Sequence, residues 1–422
     1  MEKLLGIIRP LIPRKLFVAL QPTYHYVLAG IGALWYRFPS RKLRVVGVTG
    51  TNGKTTTATL LYRIATGLGY KAGLISTVEN IVAGKVRPTT QTTPNPITLN
   101  KLFREMADAG CEYVFMEVSS HALDQKRVIG INFIGGIFTN LTHDHLDYHK
   151  SFENYFEAKK KFFQMLPVGA FALSNTDNDY GNKMLQGTKA EKSSYGFSGN
   201  ETFHGEIKNM KFDGLDLVFN AVDINSKLLG KFNAYNLLAI WGACNLLGFD
   251  MSKVNIILKD MEPPLGRFQN FTSPDGVLVI VDYAHTPDAL ENVLRTIGTF
   301  AGSKVISIFG CGGNRDPMKR KVMGQIGTML SDIAIFTSDN PRSEDPEKII
   351  ERMKAGISNE DLKKVKTISN RREAILEGIK LARKGDIILC AGKGHEDYQE
   401  INGVKYHFND MEELKKAFKL NT

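Results

Sequence analysis

Residues 45–60 read VVGVTGTNGKTTTATL, an apolar run that predicts a buried strand, a turn with two glycines, and a threonine-rich stretch that predicts a helix. Gly50 and Gly53 let the backbone turn tightly and present N–H groups to phosphate oxygens at the helix N-terminus. Lys54 follows within reach of the terminal phosphates, and Thr55 carries a hydroxyl suited to Mg²⁺. The spacing between the glycines is shorter than in the commonest phosphate-binding loop. The segment therefore predicts a nucleotide-binding strand, turn and helix.

Apolar strand-like runs and helical stretches alternate along most of the chain, which is the rhythm of βαβ units in a parallel sheet. A second series of this kind begins after PPLGRFQNFTSPDG, residues 263–276. We therefore predict an α/β protein in three parts: a short basic segment (1–44), a P-loop-type parallel-sheet ATPase domain (45–265) and a Rossmann-like α/β domain (266–422). Residues 190–230 give a weaker signal that indicates strands or a hairpin.

The charge of the chain is concentrated at its start. The net charge is +10, and residues 1–44 contain Glu2 as their one acidic residue against eight basic ones: Lys3, Arg9, Arg14, Lys15, Arg37, Arg41, Lys42 and Arg44. This localisation argues against a broad nucleic-acid-binding face. The apolar runs here are interrupted by prolines and basic residues and are too short to span a bilayer. Interleaved aromatic residues leave two readings open: small helices packed on the next domain, or contact with a membrane surface or another anionic partner.

The four cysteines lie far apart without paired spacing, which argues against a disulfide framework and a zinc ribbon. A reducing, cytoplasmic environment is therefore expected.

Three polar residues follow or end predicted elements downstream of the loop. Glu117 ends a strand in MEVSSHALDQKRV (116–128), His145 follows another strand in TNLTHDHLDYH (139–149), and Lys159 lies on a helix in YFEAKKKFF (155–163). Because ligands of open parallel sheets gather at the carboxyl ends of the strands, we expect Glu117 at the edge of the sheet where a ligand would bind.

These motifs, together with DYAHTPD, GCGGNRD, DNPR and AGKGHEDYQ, resemble the Mur ligases, the ATP-dependent amide-bond-forming family of peptidoglycan synthesis, and most closely the MurE type. The resemblance spans roughly residues 43–410. Folylpolyglutamate synthetases share the loop but fit the other motifs less well. The resemblance implies transfer of the γ-phosphoryl group of ATP to a substrate carboxylate, followed by attack of an amine on the acyl phosphate.

The resemblance also implies a set of site residues. Lys54, Glu117, His145 and Lys159 would be catalytic. One Mg²⁺ would be held by Thr55 and Glu117, and a second by His145 and a carbamylated Lys159, whose CO₂ adduct is an anionic oxygen ligand where an ammonium would repel the metal. ATP would contact Gly50, Thr51, Asn52, Gly53, Lys54, Thr55, Thr56, Asn233, Asn236, Arg267, Asp282 and His285.

The resemblance implies two further groups of residues, which would bind the added amino acid and the acceptor. The added amino acid would contact Arg315, Asp339, Asn340, Pro341, Arg342, Gly392 and Glu396. Arg342 in DNPR would grip the distal carboxylate of meso-diaminopimelate, which lysine lacks. The acceptor, a muramoyl peptide, would contact Gln91, Thr92, Thr93, Ser119, Gln125 and Arg127.

One departure from the family pattern leaves alternatives open. Only 44 residues precede the predicted first strand, whereas relatives carry a UDP-binding domain of about 100 residues, so no full domain of this kind is expected here. The acceptor would be UDP-N-acetylmuramoyl-L-alanyl-D-glutamate, or else a non-UDP-linked, pseudomurein-like or polyglutamate peptide. A catalytically inactive nucleotide-binding partner subunit is a further alternative. We expect a monomer acting on small molecules, without nucleic acid.

Overall fold

The computed structural model describes residues 14–420 except 88, 90, 143, 212 and 300. The chain forms two compact units. The first contains the chain up to Glu206 together with Val218–Ile224 and Tyr235–Lys259, and the second contains Ile207–Leu217, Asn225–Ala234 and the chain from Asp260.

The first unit is built on a largely parallel sheet. The strands between Arg44 and Ser226 are β1 Arg44–Thr49, β2 Ala72–Ile75, β3 Asn80–Val82, β4 Lys85–Arg87, β5 Tyr113–Glu117, β6 Phe133–Phe138, β7 Phe171–Asn175, β8 Glu191–Gly196, β9 Phe203–Lys211, β10 Gly214–Phe219 and β11 Val222–Ser226. From β8 to β4 the order is β8-β7-β6-β1-β5-β2-β3-β4, with β3 and β4 antiparallel. The strands predicted within residues 190–230 are present. Buried strands such as β1 and β5 read as nearly continuous apolar runs because both faces of the sheet are covered.

Helices connect these strands. They are α1 Arg14–Trp35, α2 Lys54–Gly67, α3 Pro96–Asp108, α4 Ser120–Asp124, α5 Leu146–His149, α6 Phe152–Gln164, α7 Gly181–Met184, α8 Lys231–Leu246 and α9 Met251–Lys259. Asn95 and Ser151 begin α3 and α6 by accepting hydrogen bonds from the backbone N–H groups of Thr98 and Asn154. These caps fix where α6, which carries Lys159, begins.

The N-terminal segment corrects one expectation. Residues 14–35 form one helix of 22 residues, α1, where the sequence predicted small helices. Its buried positions include Leu28, Ala29 and Ala33, which recur at helical spacing, and α1 packs on α3 as the packing prediction required. Burial at this spacing favours one continuous helix over the short helices that the sequence suggested. No described helix is long and apolar enough to cross a membrane, and residues 1–13 lie outside the described part of the chain.

The second unit repeats the α/β plan, as predicted. Its strands are β12 Gln269–Thr272, β13 Leu278–Asp282, β14 Val305–Phe309, β15 Ile333–Phe336, β16 Val365–Thr367 and β17 Ile387–Ala391, in the order β12-β13-β17-β14-β15-β16. All pairs are parallel except that of β12 with β13. Its helices and hairpin are α10 Pro287–Gly298, α11 Met318–Met329, α12 Pro346–Lys354, α13 Arg371–Leu381, β18 Tyr398–Ile401, β19 Val404–His407 and α14 Asp410–Ala417.

A buried ion pair joins the starts of α13 and α14. The Arg371 guanidinium donates from Nε and Nη2 to the two oxygens of Asp410, each at 2.7 Å, and neither side chain is exposed. Asp410→Asn leaves a buried cation without its counter-charge, so we expect the free energy of unfolding to fall by about 3 to 5 kcal/mol. Chemical denaturation measures this change. Glu413→Gln, which breaks the more exposed pair with Arg372, is the control and should cost about 1 kcal/mol or less; equal losses would contradict the prediction.

Candidate active site

The phosphate-binding loop connects β1 to α2 and requires both of its glycines. Gly50 has φ 153° and Gly53 has φ 83°. A Cβ on Gly50 would lie 1.9 Å from Oγ1 of Thr139, and one on Gly53 would lie 2.4 Å from Oδ1 of Asn236. Backbone conformation and crowding therefore both exclude a side chain at these positions.

The loop is held from the turn that follows β6. Backbone N–H groups of Thr51 and Asn52 donate to the main-chain and side-chain oxygens of Asn140, at 2.8 and 2.9 Å. Thr139 Oγ1 donates to the Asn52 carbonyl at 2.6 Å. The sequence singled out this turn for His145 only, and it missed Thr139 and Asn140.

Two lysines meet at one carbonyl of the loop. Lys54 Nζ donates to the carbonyls of Gly50 and Thr51, at 2.9 and 2.7 Å, and Lys159 Nζ donates to the Gly50 carbonyl at 2.7 Å. Lys159 is only 1% exposed. Burial, and secondarily the charge of Lys54, lower the pKa of Lys159 well below its usual value, while Asp144 acts in the opposite direction. The structure thus brings Lys159 from α6 to the loop, where the sequence expected it.

Tyr155, which the sequence analysis did not single out, contacts the loop and lies near two predicted residues, Lys159 and His145. Its buried hydroxyl is 2.9 Å from Oγ1 of Thr51. Lys159 Nζ lies 4.7 Å from the centre of its ring, and the rings of His145 and His149 lie 6.1 and 5.2 Å away. Tyr155 stands four residues before Lys159 on α6 and so shares its helix face.

His145 occupies a more open position. Its side chain is 45% exposed, its φ is 55°, and Nε2 lies 3.5 Å from an oxygen of Asp144. Its ring stands edge-on to that of His121, with centres 4.8 Å apart. Among the described residues no three His, Cys, Asp or Glu side chains form a metal-binding group. Metal binding here would have to use hydroxyl, carbamate or phosphate oxygens as well.

Glu117 lies at the carboxyl end of β5, beside Val48 of β1, and is fully buried. Its carboxylate accepts hydrogen bonds from Thr77 N at 2.7 Å and Thr77 Oγ1 at 3.2 Å. Oγ1 of Thr92 lies 3.0 Å from the oxygen of the same Thr77 hydroxyl. Thr77, which the sequence did not single out, therefore links Glu117 to the motif predicted to bind the acceptor.

Arg127 gathers most of the predicted acceptor residues. Nη1 donates to Oε1 of Gln91 at 2.8 Å and to the Thr93 carbonyl at 2.9 Å, while Nε and Nη2 donate to Oε1 of Gln125. Burial lowers the pKa of Arg127. Ser119 has a local role as well, because its Oγ accepts from Ala122 N and begins α4. The acceptor motif is thus one hydrogen-bonded network.

In the second unit, three predicted ATP residues surround Tyr283. The Arg267 guanidinium lies 4.8 Å from the centre of the Tyr283 ring, and the His285 ring lies 4.6 Å away. Asp282, at the end of β13, accepts hydrogen bonds from Phe268 N and Ala284 N, at 2.7 and 2.8 Å. Burial raises the pKa of Asp282 to about 6, against the opposing charge of Arg267.

Asn233 has a structural role at the start of α8. Its Nδ2 donates to the carbonyl of Leu229 at 2.9 Å, and its side chain is buried. This contact ties the first turn of α8 to the preceding chain.

The predicted amino-acid-binding residues lie after the carboxyl ends of β14, β15 and β17. Asn340 Nδ2 donates to Oε2 of Glu396 at 2.7 Å, and Lys393 Nζ lies 3.2 Å from the same oxygen. Burial raises the pKa of Glu396, and Lys393 acts against this shift. Gly392 has φ 112°, and a Cβ there would lie 3.1 Å from Oδ2 of Asp339. Fully buried Lys393 is a residue that the sequence reasoning missed.

Arg342 is held in a left-handed backbone conformation, with φ 54°. Nη1 donates to the Gly313 carbonyl at 2.8 Å, and Nε lies 3.4 Å from Oε2 of Glu400. Arg315 is exposed in the loop after β14, and Pro341 is buried before Arg342. The guanidinium is therefore oriented by one carbonyl and one carboxylate.

A parallel α/β unit with this phosphate-binding loop, followed by a second α/β unit, defines a nucleotide-dependent ligase of the Mur type. The model of the Mur ligase middle domain matches residues 48–244, and that of the Mur ligase glutamate ligase domain matches residues 266–394. The chain belongs to the Mur ligase family, whose members are ATP-dependent, ADP-forming ligases.

Relatives within the family carry a more specific name. The chain is 53% identical over 386 residues to the UDP-N-acetylmuramoyl-L-alanyl-D-glutamate–2,6-diaminopimelate ligase of Parabacteroides distasonis, covering 91% of this chain and 79% of the relative. It is also 53% identical over 390 residues to the ligase of the same name in Bacteroides thetaiotaomicron, covering 92% and 81%.

Solved structures agree with this assignment. A structure of a ligase of the same name matches with 33% identity and a TM-score of 0.66, covering 93% of this chain and 82% of that one. The MurF ligase of Thermotoga maritima in complex with ADP, 18% identical with a TM-score of 0.66, shares the fold.

Proposed function

We propose that this protein is an ATP-dependent ligase that joins meso-diaminopimelate to the D-glutamate carboxyl group of UDP-N-acetylmuramoyl-L-alanyl-D-glutamate. The observation that carries the proposal is the convergence of Lys54 and Lys159 on the Gly50 carbonyl after β1, together with a buried carboxylate, Glu117, that ends the adjacent strand β5 and is linked to the acceptor motif. The names of relatives at 53% identity support the choice of substrates.

The reaction has two bond-forming steps. The bond between the γ-phosphorus of ATP and its bridging oxygen breaks while a carboxylate oxygen of the acceptor bonds to that phosphorus, which gives ADP and an acyl phosphate. The amine nitrogen then attacks the acyl carbon, the carbon–oxygen bond to phosphate breaks, and the nitrogen loses a proton. Both reactants of the first step are anionic, so placement and charge neutralisation are the main tasks of the protein.

The first unit supplies residues for this neutralisation. Lys54 would contact the terminal phosphates, and the N–H groups at the start of α2 would hold their oxygens. Glu117 fits a hard cation, because the hydrogen bonds that its buried carboxylate accepts come from Thr77, which is uncharged. Mg²⁺, when bound by Thr55 and Glu117 and by His145 and a carbamylated Lys159, would screen the repulsion between the two anions.

The position of Lys159 suits carbamylation. A neutral amine adds to CO₂ by forming a nitrogen–carbon bond and losing a proton, so a buried Nζ with a lowered pKa is disposed to react. The carbamate would replace the amine with an anionic oxygen ligand beside the loop.

The second unit would supply the amine. Arg342 offers a guanidinium to the distal carboxylate of meso-diaminopimelate, and Glu396 offers a carboxylate to an ammonium group. Asn340 and Lys393 hold Glu396 in place. Arg267, Asp282 and His285 would contact ATP.

Phosphate release measured over a matrix of acceptors and amines tests the function. We expect release that requires ATP, UDP-N-acetylmuramoyl-L-alanyl-D-glutamate and meso-diaminopimelate together, with lysine a poor substitute. Turnover only with a non-UDP-linked, pseudomurein-like or polyglutamate peptide would replace the acceptor. ATP binding without amine-dependent turnover would favour the inactive partner subunit and contradict the proposal.

Tyr155→Phe tests whether the Tyr155 hydroxyl stabilises the phosphate-binding loop. Loss of the hydroxyl removes the contact with Thr51 Oγ1. One neutral hydrogen bond contributes about 1 kcal/mol, so we expect kcat/KM for ATP to fall by about fivefold. Tyr180→Phe is the control, since the Tyr180 ring packs on Phe152 and Phe156 of the same helix. An equal loss in the control, which removes a tyrosine hydroxyl but keeps this ring packing, would show that the effect is not specific to the contact between Tyr155 and Thr51.

A further inference from the structure

Between residues 23 and 35, where its side chains are described, helix α1 has two apolar faces, and only one of them is buried. Its inner face, which includes Leu28, Ala29 and Ala33, is buried. The outer face exposes Tyr26, Val27, Ile31, Leu34, Trp35 and, just after the helix, Phe38; Leu34 is 69% exposed and Trp35 is 79% exposed. We call these six residues the N-terminal apolar face. In the described part of the chain, these side chains remain open to solvent.

The surroundings of this face are basic. The Arg41 guanidinium lies 4.6 Å from the centre of the Phe38 ring, and the Lys126 ammonium lies 5.6 Å from that of Tyr26. Arg37 is also exposed beside it. Residues 14–44 contain no aspartate or glutamate. The face is therefore apolar and aromatic with a rim of positive charge.

We propose that the N-terminal apolar face docks this protein on the surface of an anionic lipid bilayer. A helix that lies in a bilayer interface buries an apolar and aromatic face at the level of the acyl boundary, while basic side chains reach the phosphates of the headgroups. The apolar positions of α1 and the cations of Arg37, Arg41, Lys42 and Lys126 provide both parts.

The positive charge of the rim favours an anionic lipid surface, and not a second copy of this chain, as the partner of this face. In a symmetric dimer built on this face, the basic rim of one copy would face the basic rim of the other, and like charges across an interface oppose association. An anionic bilayer complements the same rim. The inference stands apart from the proposed ligase function, since it uses none of the residues assigned to catalysis.

Trp35 provides a direct reporter. The chain has two tryptophans, and the other, Trp241, is 5% exposed and donates from Nε1 to Oδ1 of Asn255 at 3.0 Å. We expect vesicles of phosphatidylcholine with phosphatidylglycerol to bind the full chain in co-sedimentation and to shift the emission of Trp35 to the blue. Vesicles of phosphatidylcholine alone should bind much less, and added salt should weaken binding.

Two variants separate the apolar and the charged contributions. The triple change Ile31→Ser, Leu34→Ser and Trp35→Ser should weaken co-sedimentation by about tenfold or more, because it removes three side chains of the N-terminal apolar face that the bilayer would bury. The triple change Arg37→Gln, Arg41→Gln and Lys42→Gln should weaken it by roughly fivefold per side chain, the effect of a cation close to an anionic surface.

Matched controls lie elsewhere on the surface. The triple change Val168→Ser, Ile256→Ser and Met329→Ser alters side chains that are 80%, 69% and 59% exposed and should leave vesicle binding unchanged. The triple change Lys85→Gln, Lys101→Gln and Lys253→Gln removes the same amount of charge and should have a much smaller effect than the triple change at residues 37, 41 and 42. Thermal unfolding curves like that of the parent chain show that the variants fold.

Three results would overturn the proposal. The first is no binding to anionic vesicles. The second is binding that the apolar triple variant and its control reduce equally. The third is a dimer in sedimentation equilibrium that depends on the N-terminal apolar face, which would make a second copy of the chain its partner.

Discussion

Lys159→Ala should reduce ligation by about a thousandfold or more, because the variant lacks the anionic ligand that we assign to a Mg²⁺ ion at the acceptor carboxylate. Phosphate release with all three substrates measures the effect. A short carboxylate such as acetate or propionate, added in solution, should restore part of the activity by occupying the space of the missing side chain. Full activity in Lys159→Ala without such addition would remove the carbamate from the reaction.

The same helix offers a matched control. Lys161 is also on α6, but its side chain is 56% exposed and its Nζ lies 4.0 Å from Asp124. Lys161→Ala should keep activity within about twofold of the parent, since an exposed lysine contributes little. Equal losses in the two variants would mean that the charge of α6, and not Lys159, is required.

The carbamate has a readout besides activity. With ¹³C-labelled bicarbonate, the parent chain and Lys161→Ala should show a carbamate resonance that Lys159→Ala lacks. A parent chain that is fully active after removal of CO₂ and bicarbonate, and that shows no such resonance, would contradict the modification while leaving the ligase function open.

The sequence predicted best what is local. The strand, the two glycines and Lys54 are adjacent in the chain, and β1, the loop and α2 appear where the pattern placed them. The edge rule for parallel strands placed Glu117 correctly at the end of β5. Lys159 could be chosen among three consecutive lysines only by resemblance, and it is the one that is fully buried.

The missed residues share a physical reason. Tyr155 and Thr77 matter through contacts with residues distant in sequence, which no local pattern specifies. Tyr155 meets Thr51 across 104 positions of the chain. Such contacts exist only once the sheet has brought its loops together.

For helix α1 the sequence made a wrong prediction, namely several short helices in place of one. Prolines and basic residues near its start favoured several short helices, yet one helix forms, and its described buried positions between His25 and Ala33 recur at helical spacing. Tertiary packing outweighed local propensity here. Asn233 and Ser119 also make backbone contacts at the starts of α8 and α4.

Arg342→Ala should raise KM for meso-diaminopimelate by about a hundredfold while changing KM for ATP by no more than about twofold, because a paired guanidinium and carboxylate contribute about 2 to 3 kcal/mol. The parent guanidinium is already oriented by the Gly313 carbonyl and Glu400, so it need not be ordered by the substrate. Steady-state kinetics with each substrate varied in turn measures both constants.

The variant should also discriminate less against lysine. Lysine has no distal carboxylate, so it loses no contact when Arg342 is removed, and the guanidinium no longer repels its ammonium group. Arg372→Ala is the control: it breaks the bidentate pair with Glu413 in the same unit, which includes none of the residues proposed to bind the amino acid, and it should leave the preference intact. Equal rises in KM for meso-diaminopimelate and ATP in Arg342→Ala would mean that the residue supports the unit as a whole. An unchanged preference over lysine would assign the choice of amino acid to other residues, with Arg315 the next guanidinium to replace.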